Sequence, residues 1–220
     1  MSTASYHEKQ LHTALDPSAP KRLMPPLAPH FTHILDIGCG MGQTLIAAGL
    51  PPHIKAWGVD CDAQVIEAGK KIVPDNVTLL VAPGEKLPFE DGCMDFVFSR
   101  VSLPLMRIDP ALKEMHRVLR PGGEVWLVLH TCSMYTRRIW HSLRRGHVKD
   151  AVFCCFVILN GMVFSLLGKQ LSWLGQPEAY QTRRSMRKAF QRAGLVCTHT
   201  PYRPQRTLLI MQAMKPPVRK

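Results

Sequence analysis

An aspartate followed by glycine at every second position, Asp36, Gly38, Gly40 and Gly42, marks the run ILDIGCGMG from Ile34 to Gly42. Apolar residues leading into an acid read as the end of a buried strand, and the glycines as a loop with no room for side chains. Glycine accepts positive φ without strain and lets a bound molecule lie directly on the backbone. A flat or charged ligand is expected across this loop. The dinucleotide fingerprint requires glycine or alanine at position 43, where the chain has Gln43. A phosphate-cradling loop would carry Gly-Lys-Ser or Gly-Lys-Thr after its spacer, and the segment has neither.

Further motifs follow in order. Lys55 to Asp60 reads as a short strand ending in Gly58, Val59 and Asp60, an acid about 20 residues beyond the glycine loop and placed to accept hydrogen bonds from ribose hydroxyls. Then come NVTLLVAPGEKLPF from Asn76 to Phe89, DFVFSR from Asp95 to Arg100, and EMHRVLRPGGEVWL from Glu114 to Leu127. Together with the DxGxGxG spacing, these segments resemble the class I S-adenosylmethionine-dependent methyltransferases, in their type-11, quinone-methyltransferase-like branch. The resemblance covers roughly Ile34 to Leu129.

The resemblance implies S-adenosyl-L-methionine as cofactor and a set of residues to hold it. Asp36 would orient the methionine amino group, the loop of Gly38, Cys39, Gly40 and Gly42 would carry the cofactor, and Asp60 with Cys61 would meet the ribose. Gly84 and Glu85 would read the adenine, and Ser99 and Arg100 would lie near the methionine end. Relatives commonly have Gly-Asp-Ala-Glu before LPF, whereas this chain has Ala82, Pro83, Gly84 and Glu85, so a proline replaces the acid that would accept the adenine amino group. The implied fold is α/β: a Rossmann-like, seven-stranded, mostly parallel sheet in the order 3-2-1-4-5-7-6, last strand antiparallel, with helices on both faces and a helical insert after strand 5.

A chain of 220 residues suits one domain with a full core. It divides into an N-terminal helix and proline-rich connector (1–32), the cofactor-binding core (33–130), a helical lid insert (131–178), and a closing helix and hairpin (179–220). Strands are expected at 33–37, 55–60, 77–82 and 95–99, with a fifth ending at His130. Helices are expected at 6–15, 43–48, 62–73, 110–119, 135–147, 151–168 and 179–193, with Pro121, Gly122 and Gly123 turning the fourth into strand 5 and 195–202 and 206–213 closing as a hairpin.

Charge is unevenly placed. From Met1 to His130, 12 Lys and Arg face 14 Asp and Glu; from Thr131 to Lys220, 16 face only two. A basic C-terminal half suits an anionic partner: RNA, an acidic membrane surface or a charged small substrate. The seven cysteines show no CxxC spacing, so free thiols and no metal are expected. The polar N-terminus lacks the regions of a signal peptide, and a cytoplasmic enzyme is expected, with peripheral membrane contact as a further expectation.

From Ala151 to Gly168 there are 18 residues without a charge, short for a membrane span and interrupted by Asn160, Gly161 and Ser165. A lid over the substrate pocket or an interfacial helix is the expectation. His130, at a strand's carboxyl end and able to titrate near neutrality, is the candidate general base. Tyr135 and His141 are candidate substrate-pocket residues. The expected activity is methyl transfer to a small apolar or amphipathic acceptor, with RNA methylation and a non-catalytic binding module of the same fold as alternatives. No NPPY-type tetrapeptide for a base amino group follows strand 4.

Overall fold

The computed structural model describes residues 3–16, 18–19, 22–198 and 207–218, with side chains from Lys9 onward. One sheet runs in the order β3-β2-β1-β4-β5-β7-β6. Its strands are β1 (His33–Ile37), β2 (Lys55–Asp60), β3 (Val77–Val81), β4 (Met94–Arg100), β5 (Leu119–His130), β6 (Val196–Cys197) and β7 (Leu208–Met214). The first five pair in parallel, and β7 runs antiparallel between β5 and β6, as the sequence led us to expect.

Both faces of this sheet are buried, as the strand patterns dictate. Side chains two apart share a face, and here both parities are apolar. Leu35, Ile37, Val97, Leu127 and Leu129 join one core with Leu112 and Met115 of helix α4 (Ile108–Val118) and Met186 and Phe190 of α7 (Arg183–Arg192). Ile34, Phe96, Phe98, Trp126 and Val128 join the other with Leu45 of α2 (Gln43–Ala48) and Ile66 of α3 (Ala63–Lys70). An N-terminal helix, α1 (Thr3–Leu15), precedes the sheet. Between β5 and α7 lie α5 (Cys132–Arg144) and α6 (Val148–Leu167), which share a smaller core of Tyr135, Cys154, Val157 and Tyr180.

Several boundaries differ from expectation for local reasons. Asp62 is the cap of α3 and not its first residue: its carboxylate accepts from the Gln64 and Val65 N–H groups. The Pro121-Gly122-Gly123 turn is absorbed into β5, with Gly122 at φ 82 and an irregular register opposite Met94 to Phe96. Residues 179–182 are extended and not helical, because their N–H groups leave the segment. Ala179 donates to Pro104 and Gln181 to His130, and Thr182 then caps α7 in a capping box with Ser185. The turn of the closing hairpin falls at 199–206, outside the described residues.

Asp95 fixes the entry of the central strands. Its Oδ2 accepts from the Thr32 N–H, the Thr32 hydroxyl and the His33 N–H at 2.8–2.9 Å, and its Oδ1 from Arg120 at 2.6 Å. Burial pushes this carboxyl up, but the Thr32 and His33 donors and the Arg120 charge outweigh it and hold the pKa below the usual 3.8. A depressed carboxylate stabilises the fold above its unfolded pKa and loses that contribution as pH falls through the folded value. Replacing Asp95 with Ala strands two backbone donors and a guanidinium. It should cost about 2–3 kcal/mol in urea unfolding at neutral pH, with the gap to wild type narrowing below pH 3.8.

Candidate functional site

The glycine turn after β1 is pinned by its neighbours. Val59 O accepts from Gly38 N–H at 2.8 Å and Cys39 N–H at 3.0 Å, and Asp60 Oδ2 accepts from Gly40 N–H at 2.9 Å. Asp60 Oδ1 takes a further bond from Asp62 N–H at 3.1 Å. From the β4 side, the Ser102 hydroxyl donates to Gly38 O at 3.0 Å. Gly38, Gly40 and Gly42 all adopt positive φ, at 74°, 57° and 80°. A Cβ on Gly38 would fall 2.2 Å from Ser102 Cβ, so the turn and the segment after β4 fit only because position 38 is bare.

Two cavities open on this turn. The larger, of about 390 Å³, has Gly38, Asp60, Cys61 and Ala82 through Glu85 on one side. Its other walls are Ser102, Leu105, Met106 and Arg107 after β4, and Gln170, Leu171, Ser172, Gly175 and Pro177 after α6. A smaller one, of about 60 Å³, is bounded by Asp36, Gly38, Cys39, Gly40, Gln43, Thr44, Arg100, Val101 and Ser102, with Gln10 of α1 closing it. His12 is exposed, and the side chains of Tyr6 and His7 lie outside the described residues.

Asp36 is the electrostatic centre of the smaller cavity. It is 1% exposed, and its Oδ1 has no hydrogen-bond partner among the described residues. Burial drives its pKa up to about 8; the nearby Arg100 charge opposes the rise and Asp60 adds to it. A carboxyl held this way is poised to receive a cationic donor, since pairing would restore its ordinary ionised state. The Asp60 carboxylate, Asp36 and the bare turn therefore fit an adenosyl sulfonium bearing an ammonium group.

Placement of the remaining candidates is mixed. Gly84 is buried and a Cβ there would meet Met106 Sδ at 2.7 Å, while Glu85 accepts from Arg107 N–H at 2.9 Å. Cys39 turns its thiol inward to Gly40 O at 3.3 Å and contributes backbone alone, whereas Cys61 is exposed at the larger cavity. Ser99, expected near the ligand, is fully buried, its Oγ without a partner among the described residues, and lines neither cavity. Ser102 takes its place, delivered by Val101 at φ 59, a left-handed conformation rare for a β-branched residue. The signal for Ser102 was present: a hydroxyl just past a strand's carboxyl end. Gln10 and Gln170 carried no such signal, because long-range folding brings them in.

His130, Tyr135 and His141 line neither cavity. His130 Nδ1 lies 3.0 Å from the hydroxyl of Tyr135, which donates to Glu178 Oε1 at 2.6 Å. With the tyrosine proton committed to Glu178, Nδ1–H of His130 donates to the hydroxyl and Nε2 holds the free lone pair. Burial, helped by the Arg138 charge, lowers the His130 pKa to about 4, so it does not titrate near neutrality as its position suggested. Tyr135 is wholly buried and acts as the link in this chain, and His141 is exposed on α5. Among the described residues no three His, Cys, Asp or Glu side chains converge as metal ligands.

Known proteins resemble this chain in sequence and in fold. The family of the methyltransferase domain matches residues 35–127. A demethylmenaquinone methyltransferase of Staphylococcus aureus is 30% identical over 174 residues, covering 75% of this chain and 68% of that protein. Among solved structures, a chain of the Haloferax volcanii complex between the Trm112 methyltransferase activator and a methyltransferase aligns with TM-score 0.65 at 17% identity, over 99% of this chain and 94% of that one. An S-adenosylmethionine-dependent methyltransferase from Methanosarcina mazei aligns with TM-score 0.57 at 18% identity, over 87% and 95%.

The fit at position 38 is open to a direct check. Gly38→Ala should lower stability by about 1–3 kcal/mol in urea unfolding. Ser102→Gly removes the colliding Cβ together with the bond to Gly38 O, so it should cost less stability in the Gly38→Ala variant than in wild type, the strain of φ 74° remaining. An equal cost in both backgrounds would mean that the collision does not control the turn.

Proposed function

This chain belongs to the class I S-adenosylmethionine-dependent methyltransferases, and from that membership we propose that it methylates a small apolar or amphipathic acceptor. The observation that carries the reading is the shape of the larger cavity. It begins at the glycine turn and Asp60, and its far walls set the apolar side chains Leu105, Met106, Leu171 and Pro177 beside the polar Arg107, Gln170 and Ser172, an amphipathic lining. Demethylmenaquinone, the acceptor in the name of the Staphylococcus aureus relative, supports that class. The insert of residues 131–178 then serves as the lid, since Gln170 to Pro177 form one wall.

The cofactor supplies an electrophilic methyl group on a sulfonium whose departure leaves a neutral thioether. The residues of this chain have three tasks. Asp60 and Cys61 meet the ribose, and Gly84 and Glu85 flank the adenine, with Pro83 leaving its amino group to backbone and apolar contact. Asp36 would receive the ammonium, over the bare backbone of Gly38, Cys39, Gly40 and Gly42, with Arg100 in the same lining. Leu105, Met106 and the lid exclude water and hold the acceptor in line, which provides most of the acceleration in a displacement of this kind. Where the acceptor must lose a proton, His130 Nε2 is the candidate base, oriented by Tyr135 and Glu178; His130 lines neither cavity, so the acceptor must extend beyond the larger one to meet it.

Calorimetry with S-adenosylmethionine tests the seat. Asp60→Ala should weaken binding by about 1.5–3 kcal/mol, roughly tenfold or more, while the chain stays folded. Asp36 gives a second readout. Its raised pKa favours the folded state at low pH; that contribution is complete below 3.8 and is gone as pH rises through about 8. Pairing with an ammonium reverses the shift, so binding at pH 7 should release close to one proton, detected by comparing buffers of different ionisation enthalpy. Asp36→Asn should abolish the release, and an unchanged release would place the ammonium elsewhere.

Proton abstraction by His130 has its own signature. With a pKa near 4, the base is already unprotonated at pH 7, so at saturating S-adenosylmethionine, where Asp36 is already paired, kcat/KM for the acceptor should stay flat from pH 8 to 5 and decline only toward 4. His130→Ala should remove that acid limb; a limb that persists assigns the base to another group.

A further inference from the structure

Helix α6 is apolar all round, and only one side of it is used by the fold. Ala151, Cys154, Val157 and Phe164 are buried, whereas Val148, Val152, Leu159, Met162 and Leu166 are exposed. The exposed set recurs at intervals of three, four and seven residues, which places it on one helical face. Just beyond the helix a tight turn, closed by reciprocal Trp173 and Gln176 backbone bonds of 3.0 and 2.9 Å, holds Leu174 at 92% exposure with φ 50°. This tip is firmly mounted. Asn160 Nδ2 donates to the carbonyls of Leu171, Pro177 and Glu178, its Oδ1 accepts from Leu171 N–H, and Trp173 packs on Phe156 at 5.3 Å.

The exposed charges of the insert are almost all positive. Arg137, Arg138, Arg144, Arg145, Lys149 and Lys169 are all exposed, and Asp150 is the only carboxylate in residues 131–177. Trp140, 60% exposed, lies under the Arg144 guanidinium at 4.7 Å. A polyanion such as RNA would match the charges and leave the apolar stripe in water. A second copy of the chain would bury the stripe but bring like charges together. An anionic lipid surface satisfies both, because its headgroups meet the cations and its acyl boundary receives the leucines.

We propose that the outer face of α6, with the Leu174 turn at its end, docks this protein on an anionic phospholipid bilayer. The helix lies in the interface and does not cross it. Strands β5 and β7, on either side of the insert in sequence, pair within one sheet, and both polar atoms of Asn160 are committed to the turn. Leu171, Gly175 and Pro177 of the same turn line the larger cavity, so docking sets the cavity mouth at the lipid surface and admits an acceptor from it. That last step rests on the proposed acceptor class; the docking does not.

Flotation of the full chain with phosphatidylcholine vesicles, with and without phosphatidylglycerol, tests the proposal. The protein should float with the anionic vesicles alone, release in high salt, and lose about tenfold or more of its bound fraction in Leu174→Asp and in Leu166→Gln. Both side chains are mostly exposed, at 92% and 79%, so the variants should keep the wild-type unfolding midpoint and heat of S-adenosylmethionine binding. Absence of flotation, flotation unchanged in both variants, or self-association through this face without vesicle binding would overturn it. The cofactor heat, measured on the same samples, separates failure of docking from failure of the methyltransferase seat.

Discussion

The carboxyl edge of the sheet is organised by a backbone turn that has almost no side chains of its own and must be held by others. Val59 and Asp60 at the end of β2 take three of its N–H groups, and Ser102 beyond β4 gives a hydroxyl to Gly38 O. The strands on either side of β1 thus determine the shape of the loop after β1. Gly58 belongs to the same fit, since a Cβ there would lie 2.7 Å from Cys39 Sγ. Such bonding leaves the outer surface of the turn bare, and it also buries Asp36 behind the turn with no partner for one of its oxygens among the described residues. The raised proton affinity of that carboxyl is a direct result of how the turn is packed.

Strand order and the two-sided core were readable because they rest on local signals that agree with one another. Apolar residues of both parities in LDI, FVF and VWLVL announce strands covered on both faces, and glycine or proline punctuation separates them from helices. The positions of Asp36 and Asp60 at the carboxyl ends of β1 and β2 were readable for a similar reason, as acids closing apolar runs. Failures occurred where a distant contact decided the outcome. Residues 179–182 have helical composition, yet bonds to Pro104 and His130 keep them extended. Ser99 and Ser102 differ by three positions, and the left-handed turn at Val101 between them leaves Ser102, and not Ser99, lining the cavities at the glycine turn. His130 sits where a titrating base would be expected, but burial sets its proton affinity, and burial is a property of the assembled insert.

The insert shows the limit of composition in another way. Uncharged residues at 151–168 announce a helix, but not which of its sides faces protein. Asn160 is informative here: a polar side chain in an apolar helix must find partners, and it finds all of them in the segment that returns from the helix. One residue thereby couples the helix to the cavity wall. This explains how the insert, a layer laid on the sheet, reaches the cavity at the glycine turn.

Gly161 adds a constraint on descent. The Tyr180 ring lies so close to the α6 backbone that a Cβ on residue 161 would meet it at 2.1 Å, and Tyr180 stands outside the insert, on the extended approach to α7. Helix and tyrosine therefore have to be inherited together. A chimaera built by swapping insertions between members of this superfamily will accept a foreign helix only if its seam is cut after position 180, so the natural unit of recombination is longer than the visible helical pair.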